Sequence, residues 1–301
     1  MVFVVLSGAL PFACGPSDMG GDIDEENVFD VATEASASDD KADHAGAIRV
    51  TLGTSTSLRA GKRGTVRFDV RDAAGAAVTK YDVEHTKLFH LIIVARDLSY
   101  FTHIHPTHNG KGRFSVSWTP AAKGDDYHLF AQFKPTGAAL RTLKFDLKIS
   151  GDTTRAPTPI AADTSSMVVN GKNMLMGQAP SGGYRVGAQK VQFMVHDAQT
   201  GALATNLGTF LGAKAHIIAI KANAQGSVFR HGHDMGSAGS GGGGHGGHGG
   251  HGGSTSGAAT ATNGMLSFDI NFPSPGIYRL WVQYRRGSSN VTQFVTLSVR
   301  P

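Results

Sequence analysis

Short runs of alternating apolar and polar residues fill most of the chain from residue 47 onward, separated by turns rich in Gly, Asp and Pro. The segments T-V-R-F-D-V-R (65–71) and T-L-K-F-D-L-K-I (142–149) are typical. Successive side chains of a strand point to opposite faces, so each run predicts a strand with one apolar face. No segment keeps a helical period over several turns. The pattern predicts an all-β protein.

The chain contains the same series of runs twice, which predicts two tandem immunoglobulin-like β-sandwiches. For example, G-T-V-R-F-D-V-R-D-A-A-G (64–75) aligns with K-V-Q-F-M-V-H-D-A-Q-T-G (190–201), and the later runs align in the same order. We assign the first sandwich to residues 46–150 and the second to residues 165–301. Residues 151–164, which contain two prolines, form the linker.

One tyrosine in each half lies near the start of the penultimate predicted strand. Tyr127 and Tyr278 each follow a turn that contains Gly or Asp. This is the position of a tyrosine corner, in which the hydroxyl bonds to backbone a few residues upstream. The alternative is that both are ordinary aromatic core residues, which leaves the fold assignment unchanged.

The two halves also share a pattern of histidines. Each has one histidine that opens an apolar run, and an H-x-H pair after a polar break, within residues 90–105 and 216–233. If each segment forms a hairpin with a turn at 96–99 or at 223–226, the first histidine lies opposite the last. The same arithmetic places Ile92 opposite His103 and Ile218 opposite His231.

Directly opposed residues have β-carbons about 4.5–5.5 Å apart, and the middle histidine shares their face. The sequence therefore predicts a surface patch of three imidazoles on each sandwich, suited to a copper or zinc ion with one coordination position left open. The alternative is that the histidines are structural and complete the sheet. The predicted ligands are His90, His103 and His105 in the first repeat, and His216, His231 and His233 in the second.

A histidine- and glycine-rich loop, residues 236–260, follows the second histidine pair and is absent from the first repeat. Its histidines, His245, His248 and His251, are spaced by two glycines and could wrap one metal ion. The alternative is a low-complexity insertion in a tolerant loop. Metal binding needs neutral imidazoles, so we expect affinity to fall below about pH 6.

The N-terminal region differs from the body in composition. Residues 1–14 resemble an export signal, and Cys14, the only cysteine of the chain, lies where a bacterial lipoprotein carries its lipidated cysteine. The alternative is a simple signal peptide. Residues 15–45 contain ten acidic residues and one base, which predicts a disordered acidic tether. Because the acidic residues are concentrated in this segment, the rest of the chain is more basic than the net charge of +5 suggests. Its basic residues are scattered, which favours a solvated surface over a nucleic-acid site.

The segment H-T-K-L-F-H-L-I-I-V-A-R-D-L-S-Y-F-T-H-I-H-P, with the later G-D-D-Y-H-L-F-A-Q-F, resembles bacterial exported YtkA-like domains. The resemblance covers residues 64–149 well and 187–299 more loosely. It carries over to His90, the H-x-H pair and Pro106, whereas the second repeat has Asp234 in place of the proline. It implies a β-sandwich protein of the cell envelope connected with copper or other heavy metals.

Together these features predict an envelope-anchored or secreted protein that binds copper or zinc. Its expected location is the outer membrane, the periplasmic side of a membrane or the extracellular space, with a lipid anchor if Cys14 is modified. We expect no nucleic-acid partner and no enzymatic activity. A structural or adhesive module without a metal site is the main alternative. A copper/zinc superoxide dismutase is a weaker one, because that family's further histidine and glycine motifs and its disulfide are missing.

Overall fold

A computed structural model describes residues 48–54, 58–121, 126–149, 160–163, 165–223, 226–234 and 264–301, together with the backbone of residues 36–37. Cys14, the histidine- and glycine-rich loop with His245, His248 and His251, and most of the predicted tether and linker lie outside the described residues. The described part is all-β and contains no helix, so the predicted fold class is confirmed. It therefore contains no helix that could cross a membrane.

The first sandwich is built from two antiparallel sheets. One has the order β2-β3-β8-β7; the other has the order β1-β10-β9-β5-β6, with β4 paired to β9. The strands are β1 (Ser36–Ala37), β2 (Arg49–Thr54), β3 (Gly64–Arg71), β4 (Tyr81–Asp82), β5 (Phe89–Ala95), β6 (Phe101–Ile104), β7 (Thr107–His108), β8 (Arg113–Trp118), β9 (Asp126–Pro135) and β10 (Arg141–Lys148). Strand β1 lies within the segment predicted to be a tether, and its two residues pair with β10.

The second sandwich repeats the central pairings of this arrangement, but one short edge strand pairs with its neighbour in parallel. Its sheets have the orders β11-β12-β14-β18 and β13-β20-β19-β16-β17, with β15 paired to β19. The strands are β11 (Met167–Asn170), β12 (Asn173–Gln178), β13 (Tyr184–Arg185), β14 (Gly187–Asp197), β15 (Leu207–Gly208), β16 (Ala215–Lys221), β17 (Phe229–Asp234), β18 (Met265–Phe272), β19 (Gly276–Arg286) and β20 (Ser289–Arg300). Strands β5, β6 and β9 of the first sandwich thus correspond to β16, β17 and β19 of the second.

Each sandwich has its own apolar core between its two sheets. The alternation in the sequence produces this core directly, since every second residue of β3 (Gly64–Arg71) is buried. Both predicted tyrosine corners are present. The Tyr127 hydroxyl donates to the Ala121 carbonyl at 3.4 Å, and that of Tyr278 donates to the Ser274 carbonyl at 2.8 Å.

Strands β5 and β16 are apolar on both faces because each contributes to two cores. Along β5, Leu91 and Ile93 face the core of the first sandwich. Ile92 and Val94, on the other face, join a third apolar cluster, to which Ile218 of the second sandwich also belongs. Two aromatic stacks cross this cluster, one between Phe101 and Trp281 and one between Phe130 and Phe229. The outer faces of the two histidine-bearing sheets therefore pack against each other.

This packing corrects one prediction. The sequence was expected to place the imidazoles on an exposed sheet surface, but His90 is 2% exposed and His216 is fully buried. The residues that follow each of them on the same strand face are apolar, and burying that face against the other sandwich covers the histidines as well. A continuous apolar run such as H-L-I-I-V-A is typical of a strand buried on both faces.

Candidate metal centre

The hairpin β5–β6 has the predicted register. Ile92 pairs with His103, and Leu91 with Ile104. In the second sandwich, His216 pairs with His233 and Ile218 with His231. The pairing arithmetic from the sequence is confirmed in both repeats, because short turns and a buried face leave little freedom for a register shift.

Each hairpin therefore brings three histidines together, and we call these groups the first triad (His90, His103 and His105) and the second triad (His216, His231 and His233). Within each triad, one nitrogen from every ring lies within 4.8 Å of the others. The two triads also lie next to each other across the interface, with 5.3 Å between the ring centroids of His103 and His231. We call the six residues together the histidine cluster.

Hydrogen bonds to carbonyl groups fix the first histidine of each triad. Nε2 of His90 lies 2.9 Å from the Glu84 carbonyl oxygen, and Nε2 of His216 lies 2.9 Å from that of Phe210. A carbonyl oxygen can only accept, so in each neutral ring the proton is on Nε2 and Nδ1 is unprotonated. This Nδ1 lies 3.0 Å from Nε2 of His103 in the first triad.

The middle histidine of each triad bonds to a glutamine of the opposite sandwich. Nδ1 of His103 lies 2.8 Å from Oε1 of Gln283, and Nδ1 of His231 lies 2.7 Å from Oε1 of Gln132. Each glutamine is oriented by its amide NH2, which donates to a threonine of the neighbouring strand, Thr292 or Thr142. The middle histidines therefore carry their proton on Nδ1, and their Nε2 is unprotonated.

The nitrogens that face the centre of each triad are consequently both unprotonated. In the first triad, Nδ1 of His90 and Nε2 of His103 face each other at 3.0 Å, and in the second, Nδ1 of His216 and Nε2 of His231 do so at 3.4 Å. Two lone pairs at this distance repel unless a cation lies between them. Two nitrogens bound to one tetrahedral zinc ion lie about 3.3 Å apart, since each bond is about 2.0–2.1 Å.

The third histidine of each triad has a buried nitrogen without a partner in the described part of the chain. These atoms are Nε2 of His105 and Nε2 of His233. An orphaned buried nitrogen is costly, and in native structures such a group has a reason, for example an ion that binds there. The residues present thus fit a transition-metal ion, because each triad offers three imidazole nitrogens and the supporting N–H···O bonds typical of metal-bound histidines.

The electrostatics favour neutral rings. Burial, reinforced by the neighbouring imidazoles, lowers the pKa of His105 to about 3 and that of His233 to about 2. Burial lowers the pKa of His216 to about 4. The middle histidines, His103 and His231, have pKa values held well below the usual range by the same causes. Unprotonated imidazole is the form that binds metal ions.

The sequence pattern missed a seventh histidine. His85 belongs to the first sandwich, but its ring stacks on His233 of the second triad with 3.5 Å between centroids. Its backbone φ of 44° lies in the left-handed region, and Leu211, five residues before His216 as His85 is five before His90, has a φ of 50°. Both repeats thus have the same turn, but only the first has a histidine there. A comparison of the two repeats in the sequence therefore could not identify His85.

The two glutamines were missed as well, although a signal for them existed. L-F-A-Q-F (129–133) and L-W-V-Q-Y (280–284) carry Gln at the same place in the two repeats. Gln132 pairs with His90 across β9 and β5, and Gln283 pairs with His216 in the same way. A repeated polar residue in an apolar strand is a cue for a buried hydrogen bond.

A comparison with protein families finds one model that matches residues 42–151 and 172–301, described as a domain of unknown function (DUF8832). The match covers both repeats and most of the chain. A search among curated proteins finds no similar sequence. The resemblance to YtkA-like domains stays a prediction.

Solved structures that match this chain include an Escherichia coli adhesin, FdeC, at 17% identity, covering 90% of this chain and 67% of that chain, with a TM-score of 0.25. Escherichia coli alpha-2-macroglobulin matches at 12% identity over 85% of this chain and 20% of that chain, with a TM-score of 0.24. A Ca2+-stabilized ice-binding adhesin of an Antarctic bacterium matches at 10% identity over 89% of this chain and 50% of that chain, with a TM-score of 0.24. Values this low carry no inference about the activity or partners of this chain.

Proposed function

Because the chain belongs to the family described as a domain of unknown function (DUF8832), which assigns it no chemistry, we propose its function from the histidine cluster: the protein binds transition-metal ions, copper or zinc, at its two triads. His90, His103 and His105 hold one ion, and His216, His231 and His233 hold the other. An ion bound there would replace the missing protons between the facing nitrogens.

One observation carries this proposal: the paired unprotonated nitrogens in each triad, 3.0 Å apart in the first and 3.4 Å apart in the second. A purely structural histidine pair would share a proton in a hydrogen bond, with one ring as donor. Here the donors are already committed to a backbone carbonyl on one side and to a glutamine on the other. The carbonyl and the amide also set the ring orientation, as they do around known histidine-bound metals.

Three ligands leave a coordination position for water or an exchanging partner. The site therefore suits uptake and release of an ion better than permanent structural binding, in which four protein ligands usually close the coordination sphere. Binding and transfer are the proposed activity, with no bond-making chemistry on a substrate. His245, His248 and His251 would act as an auxiliary site that collects metal ions.

The test is titration calorimetry with Cu2+ and Zn2+ on the full chain in which His245, His248 and His251 are replaced by serine. We expect two ions per chain. Alanine at all six triad positions should abolish binding, whereas His196→Ala, a matched change outside both triads, should leave two ions bound. Unchanged stoichiometry in the six-alanine variant would refute the proposal.

We further propose that the protein is exported and held at the outer membrane, on the periplasmic side of a membrane or at the cell surface, through lipid on Cys14. The support is the sequence alone, a short apolar segment that ends in the only cysteine of the chain. Labelling cells with an alkyne fatty acid should mark the wild-type protein, and Cys14→Ser should lose the label. Equal labelling of both proteins would contradict lipidation at this residue.

A structural or adhesive module is the second candidate, and one observation favours it. The triads lie at the end of an apolar interface that already joins the two sandwiches, so buried histidines could simply complete it. This alternative predicts that saturating Cu2+ or Zn2+ leaves the melting temperature unchanged. Metal binding at the triads predicts a rise, because an ion that binds only the folded state stabilises it.

A further inference from the structure

The histidine cluster contains no acidic ligand. Both groups of potential ligand atoms in the described residues consist of histidines only, although aspartate and glutamate oxygens would equally have qualified. Neutral imidazoles add no negative charge, so an ion bound there keeps its whole charge. A divalent ion in each triad would place four positive charges in the interface.

The two charged side chains that act on His90, Glu84 and Lys87, have opposite signs and do not compensate for this charge. Glu84, which offers its backbone carbonyl to His90, has its carboxylate 3.3 Å from the Lys134 ammonium. Asp234 follows His233 on β17, so its side chain points to the opposite face, where it accepts a hydrogen bond from the Ser267 backbone N–H at 2.9 Å. The groups that the first sandwich places against the second triad are neutral, namely the amide oxygen of Gln132 and imidazole rings such as that of His85.

Burial makes this charge expensive. The cost of moving an ion from water into a poorly polarisable site rises with the square of its charge, so a divalent ion pays about four times as much as a monovalent one. His216 is fully buried and His90 is 2% exposed. The other four rings are half-buried, but the orphaned Nε2 atoms of His105 and His233 are buried as well, so little solvent reaches the ligand nitrogens to offset the cost. The distances between the ligand nitrogens do not distinguish a monovalent from a divalent ion, because three-coordinate and tetrahedral ions both need nitrogens about 3.3–3.5 Å apart.

Resting on the proposed function, we infer that the two triads select monovalent copper, Cu(I), over divalent zinc or copper. Three imidazoles satisfy a three-coordinate Cu(I) ion without a fourth ligand, and imidazole is a good ligand for copper. A divalent ion would need a hydroxide or another anion to lower its charge. Among the described residues, both groups of potential ligands contain no carboxylate that could serve as such an anion.

The first experiment compares affinities on the full chain with His245, His248 and His251 replaced by serine. Cu(I), kept reduced with ascorbate under nitrogen, competes against a chromophoric Cu(I) chelator, and Zn2+ competes against a chromophoric zinc chelator. We expect two Cu(I) ions per chain, bound about a thousandfold or more tighter than Zn2+. Zinc that binds as tightly as Cu(I) would overturn the inference and leave the metal-binding function intact. Failure of both ions to bind would overturn the function itself.

The second experiment adds one negative charge beside the first triad. Gln283→Glu places a carboxylate 2.8 Å from Nδ1 of His103 if the side chain keeps its position. Coulomb attraction scales with the charge of the ion, so the gain in zinc affinity should be about the square of the gain for Cu(I). Gln283→Met, which removes the hydrogen bond without adding charge, should weaken the binding of both Cu(I) and Zn2+.

The equivalent change at the second triad is Gln132→Glu, and this variant is used for the same test if Gln283→Glu does not fold. Circular dichroism of each variant checks the fold. An equal gain for both ions, or a larger gain for Cu(I), would contradict the charge argument.

Discussion

Gln132 on strand β9 of the first sandwich accepts a hydrogen bond from His231 on strand β17 of the second, with 2.7 Å between Oε1 and Nδ1. The relationship is reciprocal, since Gln283 of the second sandwich accepts from His103 of the first. Each triad is therefore oriented by the sandwich to which it does not belong. Metal binding and docking of the two sandwiches are consequently linked.

This crossing makes a specific prediction. Gln132→Met should weaken metal binding at the second triad about 10–100-fold, which is typical for the loss of a hydrogen bond that orients a metal ligand. The measurement uses a background in which His90, His103 and His105 are alanine, so that only the second triad remains, and calorimetry gives the affinity.

The matched control is the same substitution in a background with only the first triad. Gln132 is the direct strand neighbour of His90, so a merely local packing defect would harm the first triad most. We expect the affinity of the first triad to change by less than about threefold. The reverse ranking would rule out the crossed arrangement.

Much of the fold could be predicted from the sequence, because its signals are local. The alternation within β3 (Gly64–Arg71) reports which face is buried, and the repeat reports that there are two sandwiches. The register of both histidine hairpins followed from the spacing of three histidines around a short turn. Tyr127 and Tyr278 followed from their place near the start of the penultimate strand of each sandwich.

The remainder depends on contacts between residues distant in sequence. Gln132 and His231 are 99 residues apart, and no local pattern specifies that one sheet face of each sandwich packs against the other. His85 has no counterpart in the second repeat, so the repeat could not identify it. The apolar run of β5 (Phe89–Ala95) did indicate burial on both faces, and this was the available cue that the histidines are not exposed.

Without metal, the protein should lose stability as the pH falls. Histidines in the unfolded chain titrate near 6.5, whereas burial lowers the pKa of His216 to about 4 and that of His233 to about 2. Between these values the unfolded state binds more protons than the folded state, so the free energy of unfolding falls as the pH drops below about 6.5. Each such group contributes up to about 1.4 kcal/mol per pH unit.

Urea denaturation of the metal-free protein at about pH 7.5, 6 and 5 measures this slope. Replacing His216 and His233 by asparagine removes two of the titrating groups and should flatten the slope. A stability that is independent of pH over this range would show that the imidazoles are not neutral and buried in the folded state.

Metal binding at the triads should persist to a lower pH than the sequence suggested. The expected loss below about pH 6 assumed ordinary histidines. In the folded protein, burial lowers the pKa of His105 to about 3, so protons compete little with a metal at about pH 5. We expect affinity at the triads to fall less than about threefold between about pH 7 and pH 5.5, while the fold is intact.

The control is a synthetic peptide of residues 241–253, which carries His245, His248 and His251 in a free chain. Its affinity should fall steeply over the same range, because free histidines become protonated near pH 6.5. Parallel losses for the protein and the peptide would contradict the buried state of the triads.

His85→Leu should act on the second triad alone. The substitution copies Leu211, the residue at the equivalent turn position of the second repeat, and removes the ring that stacks on His233. Without this cover, solvent and chelators reach the ion more easily, so the metal should leave the second triad about tenfold faster.

Stopped-flow release of copper to an excess chelator measures both triads in separate single-triad backgrounds. Release from the first triad is the internal control and should be unchanged. Equal acceleration at both triads would indicate a general loosening of the interface and not a local cover.

The apolar interface should control the affinity of both triads. Trp281 is 3% exposed and stacks on Phe101 of the first sandwich with 4.9 Å between ring centroids. Trp281→Ala should lower the free energy of unfolding by about 3–5 kcal/mol, the usual cost of removing a large buried aromatic ring. Undocking would also separate Gln132 from His231 and Gln283 from His103, so both metal affinities should fall together.

Phe294→Ala on the same sheet is the matched control. Phe294 is 46% exposed and contacts Arg279, so its loss should lower the free energy of unfolding by about 1 kcal/mol or less. Both metal affinities should be retained. Metal binding that is unaffected by Trp281→Ala would show that each triad is complete within its own sandwich.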